Sequence, residues 1–535
     1  MVLLARWLQQ GTVTWKRTPL DLPLLSFIGS AALSTLFAIN RNVAIFGTYD
    51  RWEGLITIAT YALVFWLGVQ LLSGEADARG LTWSLLVSGY VIAAVAILQS
   101  TFGILGGGYF HTANNLNIIR PDVTLANPDF LGIFLAMLLP VAFAKLVSPR
   151  PMATRVLAAN LVVVLSFGLL ATFTRAAWIG AIVGIVVVLV LRRGRFHVWP
   201  LVISASILVV GFATLVGIAA ARPSSGGSGF GPALFARIVS ITDLKSGTQN
   251  ERIATWGDTL PLIASRPIVG YGPDTFGLIY PQFERTNQNF VLWDKPHQDA
   301  LGVAASQGVI GLLAYIWILV AFVRAFWKGR FQRGAVALFA GWVAYMVAIQ
   351  FDFSWIPTSI PFWLFAAAAI VTWSSKLEVV RVADFPRRIA LPALAAGSIG
   401  LLALLVPGIV FPYMADADYY VAQTASTLQQ ARATIGQARQ LAPSEAVYAI
   451  VAGNYALNLD QNGTPASNAD WPAAREAYEA AARLGSYSPE MFQELAIVDE
   501  HLGDHAGAVA AARRALELDR YDPRSQALLK RLTGQ

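Results

Sequence analysis

Cysteine is absent from this 535-residue chain, which rules out disulfides, thiolate chemistry and a zinc–thiolate site. Charge is scarce too. Asp, Glu, Lys and Arg make up 13% of residues, about half the ~25% carried by soluble domains. Apolar residues fill the gap, at 56% of the chain and mostly in long runs. Lipid must solvate most of such a chain. The acidic residues are scattered, with no Asp-x-Asp or EF-hand spacing, so neither a metal site nor a cofactor is expected. The first apolar run is not a short core followed by a small-residue cleavage site, and it reads as a retained span. The net charge of +7 could suggest nucleic acid. Basic residues at the ends of membrane helices account for it better, and no nucleic-acid partner is expected.

Apolar runs of span length recur at about 22–39, 54–73, 81–105, 129–147, 155–173, 176–191, 198–220, 301–323, 334–350, 356–373 and 389–413. The expected fold class is therefore all-α: a polytopic membrane bundle of about 11–12 helices. With the N-terminus inside, eighteen Lys and Arg fall on the cytoplasmic segments and four, Arg41, Arg51, Arg120 and Arg175, on the short outer ones. That bias places the long polar segment 221–297 outside, and the C-terminus with it. Segment 221–297, rich in glycine and proline, is too long for an ordinary connection and reads as an active-site loop. Residues 1–413 form the membrane domain.

After Tyr413 the composition turns Ala-rich, charged and amphipathic. Ala474/Ala508, Ala481/Ala515, Leu484/Leu518, Tyr487/Tyr521 and Pro489/Pro523 repeat at 34 residues, the tetratricopeptide period. Residues 414–535 are expected to stack helix pairs into a short α-solenoid, with a proline ending each second helix and a concave face for a protein partner.

Chemistry outside a membrane has no ATP or nucleotide-sugar pool to draw on. A donor there must carry its own activation, as a lipid diphosphate-linked sugar does. Arginine's planar fork suits the diphosphate, and histidine suits the proton transfer from an acceptor hydroxyl. The outer side offers Arg175 at a helix end, Arg252 in the loop and His297 where the loop re-enters the membrane. Each has a plainer reading. Arg175 can snorkel, Arg252 can pair with Glu251, and only the N-cap role expected of Asp299 leaves His297 free. His297 is one of five histidines; His111, His197, His501 and His505 lack such company. Gly270-Tyr271-Gly272-Pro273 follows no expected strand and reads as a tight turn rather than a nucleotide loop.

Four blocks of the chain resemble the O-antigen ligase family, which includes lipopolysaccharide ligases, Wzy-type polymerases and protein O-oligosaccharyltransferases. Leu125-Ala126-Asn127-Pro128-Asp129-Phe130 is similar to the family's "NPN-F" helix start, and Thr174-Arg175-Ala176-Ala177-Trp178 to its "SR-(G/A)-W" block. Arg252 to Trp256, with Arg266-Pro267-Ile268-Val269-Gly270-Tyr271-Gly272, is similar to "R-x3-W … P-x2-G-x-G". His297-Gln298-x-x-Leu301, with Gly308-x-x-Gly311, is similar to "HN-x-x-L … GxxG". Asp129 and Gln298 stand where asparagine is commoner. The segment Gly47 to Gly54 resembles members with C-terminal tetratricopeptide repeats, and makes Arg51 and Glu53 further outer-face candidates.

The resemblance implies a GT-C-type membrane fold and transfer of an undecaprenyl-diphosphate-linked glycan to a glycan, lipid or protein hydroxyl. It implies a metal-independent, inverting reaction at the outer face of the bacterial cytoplasmic membrane. Carried over, it gives His297, Arg175 and Arg252 catalytic roles, with Arg175, Arg252, Asn127, Arg51, Arg266 and Gln298 at the substrate. Two other classes stay open: a lipid-linked glycan flippase, which lacks the expected two-half symmetry here, and a membrane-anchored binding scaffold.

Overall fold

A computed structural model describes residues 10–49, 51–102, 108–111, 117–148, 151–192, 248–285, 293–374, 377–384, 395–400, 406–459 and 465–534, with isolated positions 3, 6, 7, 392, 402 and 403. The chain is a helical, multi-pass membrane protein. Five described helices are long and apolar enough to cross a bilayer: α4 (Glu75–Phe102), α5 (Pro128–Leu146), α6 (Met152–Ala171), α10 (Asp299–Gly329) and α12 (Ile356–Trp373). Shorter helices join them: α1 (Asp21–Leu36), α2 (Arg41–Phe46), α3 (Leu55–Leu71), α7 (Arg175–Leu191) and α11 (Ala335–Ala348). Expected run 198–220 lies outside the described residues, and run 389–413 is described only in part.

The bundle is wound about α5, nearly all of whose side chains are buried. It packs on α6, α7 and α11, with α3 and α4 on α12, and α1 on α10. Apolar on every side, α5 has no amphipathic stripe because it meets protein all round. Small residues allow the close crossing of α7 on α11. A Cβ on Gly180 would lie 2.4 Å from the Ala344 carbonyl oxygen, and one on Gly184 2.8 Å from that of Ala340. Lipid supplies no hydrophobic drive between helices, so such contact is what binds them. The outward side chains of the peripheral helices, Leu63, Val91, Ile182, Val190 and Leu313 among them, stay exposed and apolar. Two antiparallel pairs are the only described strands: β1 (Thr12–Arg17) with β4 (Glu378–Asp384), and β2 (Gly108–His111) with β3 (Asn117–Arg120).

The segment expected as one irregular loop contains an 18-residue helix, α8 (Thr248–Ser265), and a short turn of helix, α9 (Phe276–Ile279). Residues 221–247 and 286–292 lie outside the described residues. The Pro267–Gly272 stretch is more than a turn. Inside α10 the backbone breaks at Gly308 (φ 65°, ψ −163°). Tyr271 N donates to Ala305 O (3.0 Å), Gly272 N to Ser306 O (2.9 Å) and Val309 N to Pro267 O (2.8 Å). The carbonyls orphaned by the break are thus satisfied by protein, the condition for irregular backbone beside a membrane.

The C-terminal region is a run of consecutive, mutually packed helices: α13 (Phe411–Gln423), α14 (Leu428–Leu441), α15 (Ala446–Leu457), α16 (Trp471–Arg483), α17 (Pro489–His501), α18 (His505–Leu518) and α19 (Pro523–Thr533). Pro489 and Pro523 open α17 and α19 rather than ending the helices before them, because the first turn needs no N–H from its first residue. This region docks on the membrane domain. Asn40 Nδ2 donates to Gly485 O (3.1 Å), Tyr487 Oη to Ile39 O (3.5 Å) and Tyr521 Oη to Glu284 O (3.4 Å). Tyr487 and Tyr521, 34 residues apart, both face the partner domain.

Candidate active site

The helices that begin on the docked face are α3, α5, α7, α8, α10 and α12, and their N-termini carry partial positive charge toward it. Several entries are strained. Among the described residues seven non-glycine positions have positive φ, and six of them (Trp52, Val123, Ala126, Phe173, Asp274 and His297) stand shortly before a helix, that of Asp274 being α9. The seventh, Asn458, caps α15 at its C-terminus. Left-handed backbone costs a non-glycine residue about 1–3 kcal/mol and tends to mark functional sites. His297, at φ 51°, is one of these.

His297 is held between rings. Trp293 and Phe353 meet the imidazole edge-on, with centroids 4.9 and 5.0 Å away. Its Nδ1 lies 3.3 Å from Asp352 Oδ1, and that carboxylate is 2% exposed. Across the same carboxylate, Arg252 Nη2 is 4.0 Å from Oδ2, while Arg252 Nη1 donates to Phe351 O at 2.6 Å. Guanidinium, carboxylate and imidazole form a line along the 351–353 turn, between α11 and α12. The line is slack. His297 Nδ1, Asp352 Oδ2 and Arg252 Nε are buried without a well-directed hydrogen bond among the described residues, and unsatisfied buried groups are costly. About a fifth of the histidine and arginine side chains remains exposed.

Arg51 also lies over Phe353, its guanidinium 4.7 Å from the ring centroid and paired with Asp294. Arg175 opens α7 and is half-buried. The preceding Thr174 donates to Asp129 Oδ1 (2.8 Å), which also accepts from Arg120 Nη2 (2.7 Å) and feels the Arg252 charge. Thus the starts of α5 and α7 meet at one acidic residue. Three expected substrate residues have other engagements. Asn127 caps α5 by accepting from Asp129 N (2.8 Å). Gln298, not Asp299, is the N-cap of α10, and its Nε2 bonds Gln350 Oε1 (2.9 Å); Asp299 lies one place inside and accepts from Ser354 Oγ (2.9 Å). Arg266 bonds Phe37 O (3.2 Å) and lies over Tyr271. It follows the last residue of α8, about 20 Å of helical rise from Arg252.

Two groups escaped the sequence reading. Asp352 sits in Phe351-Asp352-Phe353, where an acid flanked by aromatics between two outer helix ends was the available signal. Lys295, two residues before His297, binds Asp274 Oδ1 (2.8 Å) and Glu53 Oε2 (3.3 Å). Burial, with Asp274 adding to it against the Lys295 charge, pushes Glu53 up to about 7. Burial alone would depress Lys295, but Asp274 and Glu53 outweigh it and hold the ammonium above the ordinary lysine value. A cavity of about 160 Å³ opens beside them, polar at Glu53, Lys295 and Gln298 and apolar deeper, at Phe322, Trp342 and Trp363.

Fold and site together define a multi-pass membrane protein with a cationic, histidine-bearing centre where several helix N-termini meet. Within that class, the family model of O-antigen ligase (Wzy_C) matches residues 160–316, from α6 into α10 and including Arg175, Arg252 and His297. This stretch of the chain is thus similar to the O-antigen ligase domain. No curated protein matches it.

Proposed function

We propose that the protein transfers an undecaprenyl-diphosphate-linked oligo- or polysaccharide to an acceptor hydroxyl on the outer face of the cytoplasmic membrane. The observation that carries this reading is the Arg252–Asp352–His297 line with its unsatisfied polar atoms. A substrate that supplies an anion to the guanidinium and a hydroxyl to the imidazole would satisfy the site. Helix N-termini converging on the same place favour a diphosphate further.

The step is one displacement. The acceptor oxygen bonds to the anomeric carbon as its bond to the phosphate oxygen breaks, and the configuration inverts. The electron pair leaves on the lipid diphosphate, held by Arg252 and Arg175, with Arg51 beside the glycan path. The acceptor proton passes to His297, oriented by Asp352 as a buried carboxylate orients a base. Charge on the leaving group is met by arginines, so these residues need no metal for the step.

The C-terminal helices are read as tetratricopeptide-like repeats. Their docking on the face that holds the site favours a second reading, a Wzy-type polymerase or a protein O-oligosaccharyltransferase whose acceptor or assembly partner is presented by the repeats. The test is mass spectrometry of glycoconjugates from cells with the gene, without it, and with Arg252→Ala. Loss of one glycosidic linkage, unrestored by the variant, is expected, and the acceptor on which it is lost tells ligase from polymerase from protein glycosylation. Unchanged glycoconjugates in the deletion would reject the reading, and a lipid-linked glycan trapped on the inner leaflet would point to a flippase.

A further inference from the structure

The described residues of the 47–54 loop, 47–49 and 51–54, form a small closed unit. A Cβ on Gly47 would lie 2.3 Å from Glu53 N, and one on Gly54 2.4 Å from Ile45 O, so its two ends touch. Arg51 N and Trp52 N both donate back to Thr48 O, at 3.0 and 2.9 Å. Three sides of this unit are occupied by different parts of the molecule. Toward the C-terminal helices, Tyr49 donates its hydroxyl to Asp416, which also accepts from Tyr448 (2.7 Å). The Tyr49 ring meets those of Tyr448 and Tyr419 edge-on. Toward the site, Arg51 pairs with Asp294 and covers Phe353, the ring that also meets His297. Its carbonyl accepts from Trp355 Nε1 (2.8 Å). Beneath, Thr48 binds Asp274 and Glu53 binds Lys295, the pair that anchors the approach to His297. Packed groups of this kind move as one body rather than deforming.

We propose that the C-terminal helical domain is a working part of the transfer site: through Tyr49 and Asp416 it positions the 47–54 loop, and through that loop Arg51 and the Lys295–His297 approach. This rests on the transfer site proposed above. Tyr49 and Asp416 touch no substrate and are positioning residues. Their removal should misplace Arg51 and the His297 approach by a fraction of an ångström to an ångström, without unfolding either domain.

The experiment uses full-length variants in membrane vesicles from the native host with the gene deleted, which hold its own lipid-linked donor and acceptor. Tyr49→Phe, Asp416→Asn, the double variant, Tyr521→Phe and Arg252→Ala are compared for initial rate of glycan transfer per folded protein, alongside melting temperature. Tyr521→Phe removes a docking hydrogen bond that bypasses the loop. Tyr49→Phe and Asp416→Asn are each expected to slow transfer by roughly ten- to a hundredfold. The double variant should be no slower than the worse single, because both cut one path. Tyr521→Phe should run at the wild-type rate, Asp416→Glu should recover part of the loss, and melting temperatures should stay put. Wild-type rates for Tyr49→Phe and Asp416→Asn, with Arg252→Ala inactive, would overturn the coupling while leaving the site intact. Equal slowing by Tyr521→Phe would overturn it as well, by making docking in general the cause. Full transfer by Arg252→Ala would remove the site itself, and the coupling with it.

Discussion

At the scale of the residue, Asp352 decides how His297 and Arg252 behave. Both face one buried carboxylate, so its neutralisation should disorient the imidazole and loosen the guanidinium together. His297→Ala is expected to lower the transfer rate by roughly 10²–10⁴-fold, the range for a lost general base. Asp352→Asn should fall short of that, and Arg252→Lys should not restore Arg252→Ala, because an ammonium lacks the fork that grips two phosphate oxygens. Initial rates at saturating donor separate these cases; wild-type activity in Asp352→Asn would remove it from the site. Glu53 gives a second expectation. Its folded pKa of about 7 lies above the 4.5 of a free glutamate, so the folded state binds the extra proton between those values. Stability should therefore fall as pH rises from about 4.5 to about 7. Glu53→Gln removes that titration, and the melting temperature should then vary less across the window; an unchanged pH profile would refute the assignment. The cations and the histidine could be picked out from the sequence because few charged residues interrupt the apolar runs. Asp352 and Lys295 could not, since their meaning comes from partners far along the chain. Asn127 and Gln298 show the converse: each stands in a motif block, and each side chain in fact caps a helix.

At the scale of the element, two motifs that looked separate form one assembly. Gly308-x-x-Gly311 breaks α10, and the Pro267–Gly272 stretch occupies the break with four backbone hydrogen bonds. Either stretch alone suggests only a turn. Their pairing is a tertiary fact that local spacing cannot express, although the individual glycines mark where backbone must come close. At Gly308 a Cβ would lie 2.2 Å from the Ile268 carbonyl oxygen, on a backbone of positive φ. Gly308→Ala is thus expected to destabilise the folded protein by more than about 3 kcal/mol, seen as a lower melting temperature and a reduced monodisperse yield in detergent. Gly257, on the exposed side of α8, has nothing within 4 Å of its would-be Cβ. Gly257→Ala should be neutral or stabilise by up to ~1 kcal/mol, as alanine does in an open helix position. Equal losses from both substitutions would mean that the close backbone approach at Gly308 is not what sets its cost.

At the scale of the whole molecule, the remaining question is which way the site faces, and charge gives the expectation. Helix α10 has 31 residues, about 46 Å of rise, enough to carry the chain from the His297 face to the other side even with its break. Arg324, Lys328, Arg330 and Arg333 gather at its far end. Lys16, Arg17 and Arg381 lie in the β1–β4 pair, on segments that the basic-residue bias assigns to the same side. Against this cluster, the short connections on the site face hold only Arg41, Arg51, Arg120 and Arg175. On the proposed reading, the positive-inside rule is expected to turn the far end of α10 to the cytosol and the site outward, together with the C-terminal helices docked beside it. A chain without cysteine lets this be tested with one introduced thiol at a time. Glu490→Cys, at an exposed position of α17, should react with a membrane-impermeant maleimide in intact spheroplasts. Gln332→Cys, in the exposed turn after α10, should react only once the membrane is opened. The reverse pattern would put Arg252 and His297 in the cytosol, on the wrong leaflet for a donor exposed at the outer face, and a ligase reading could not survive it.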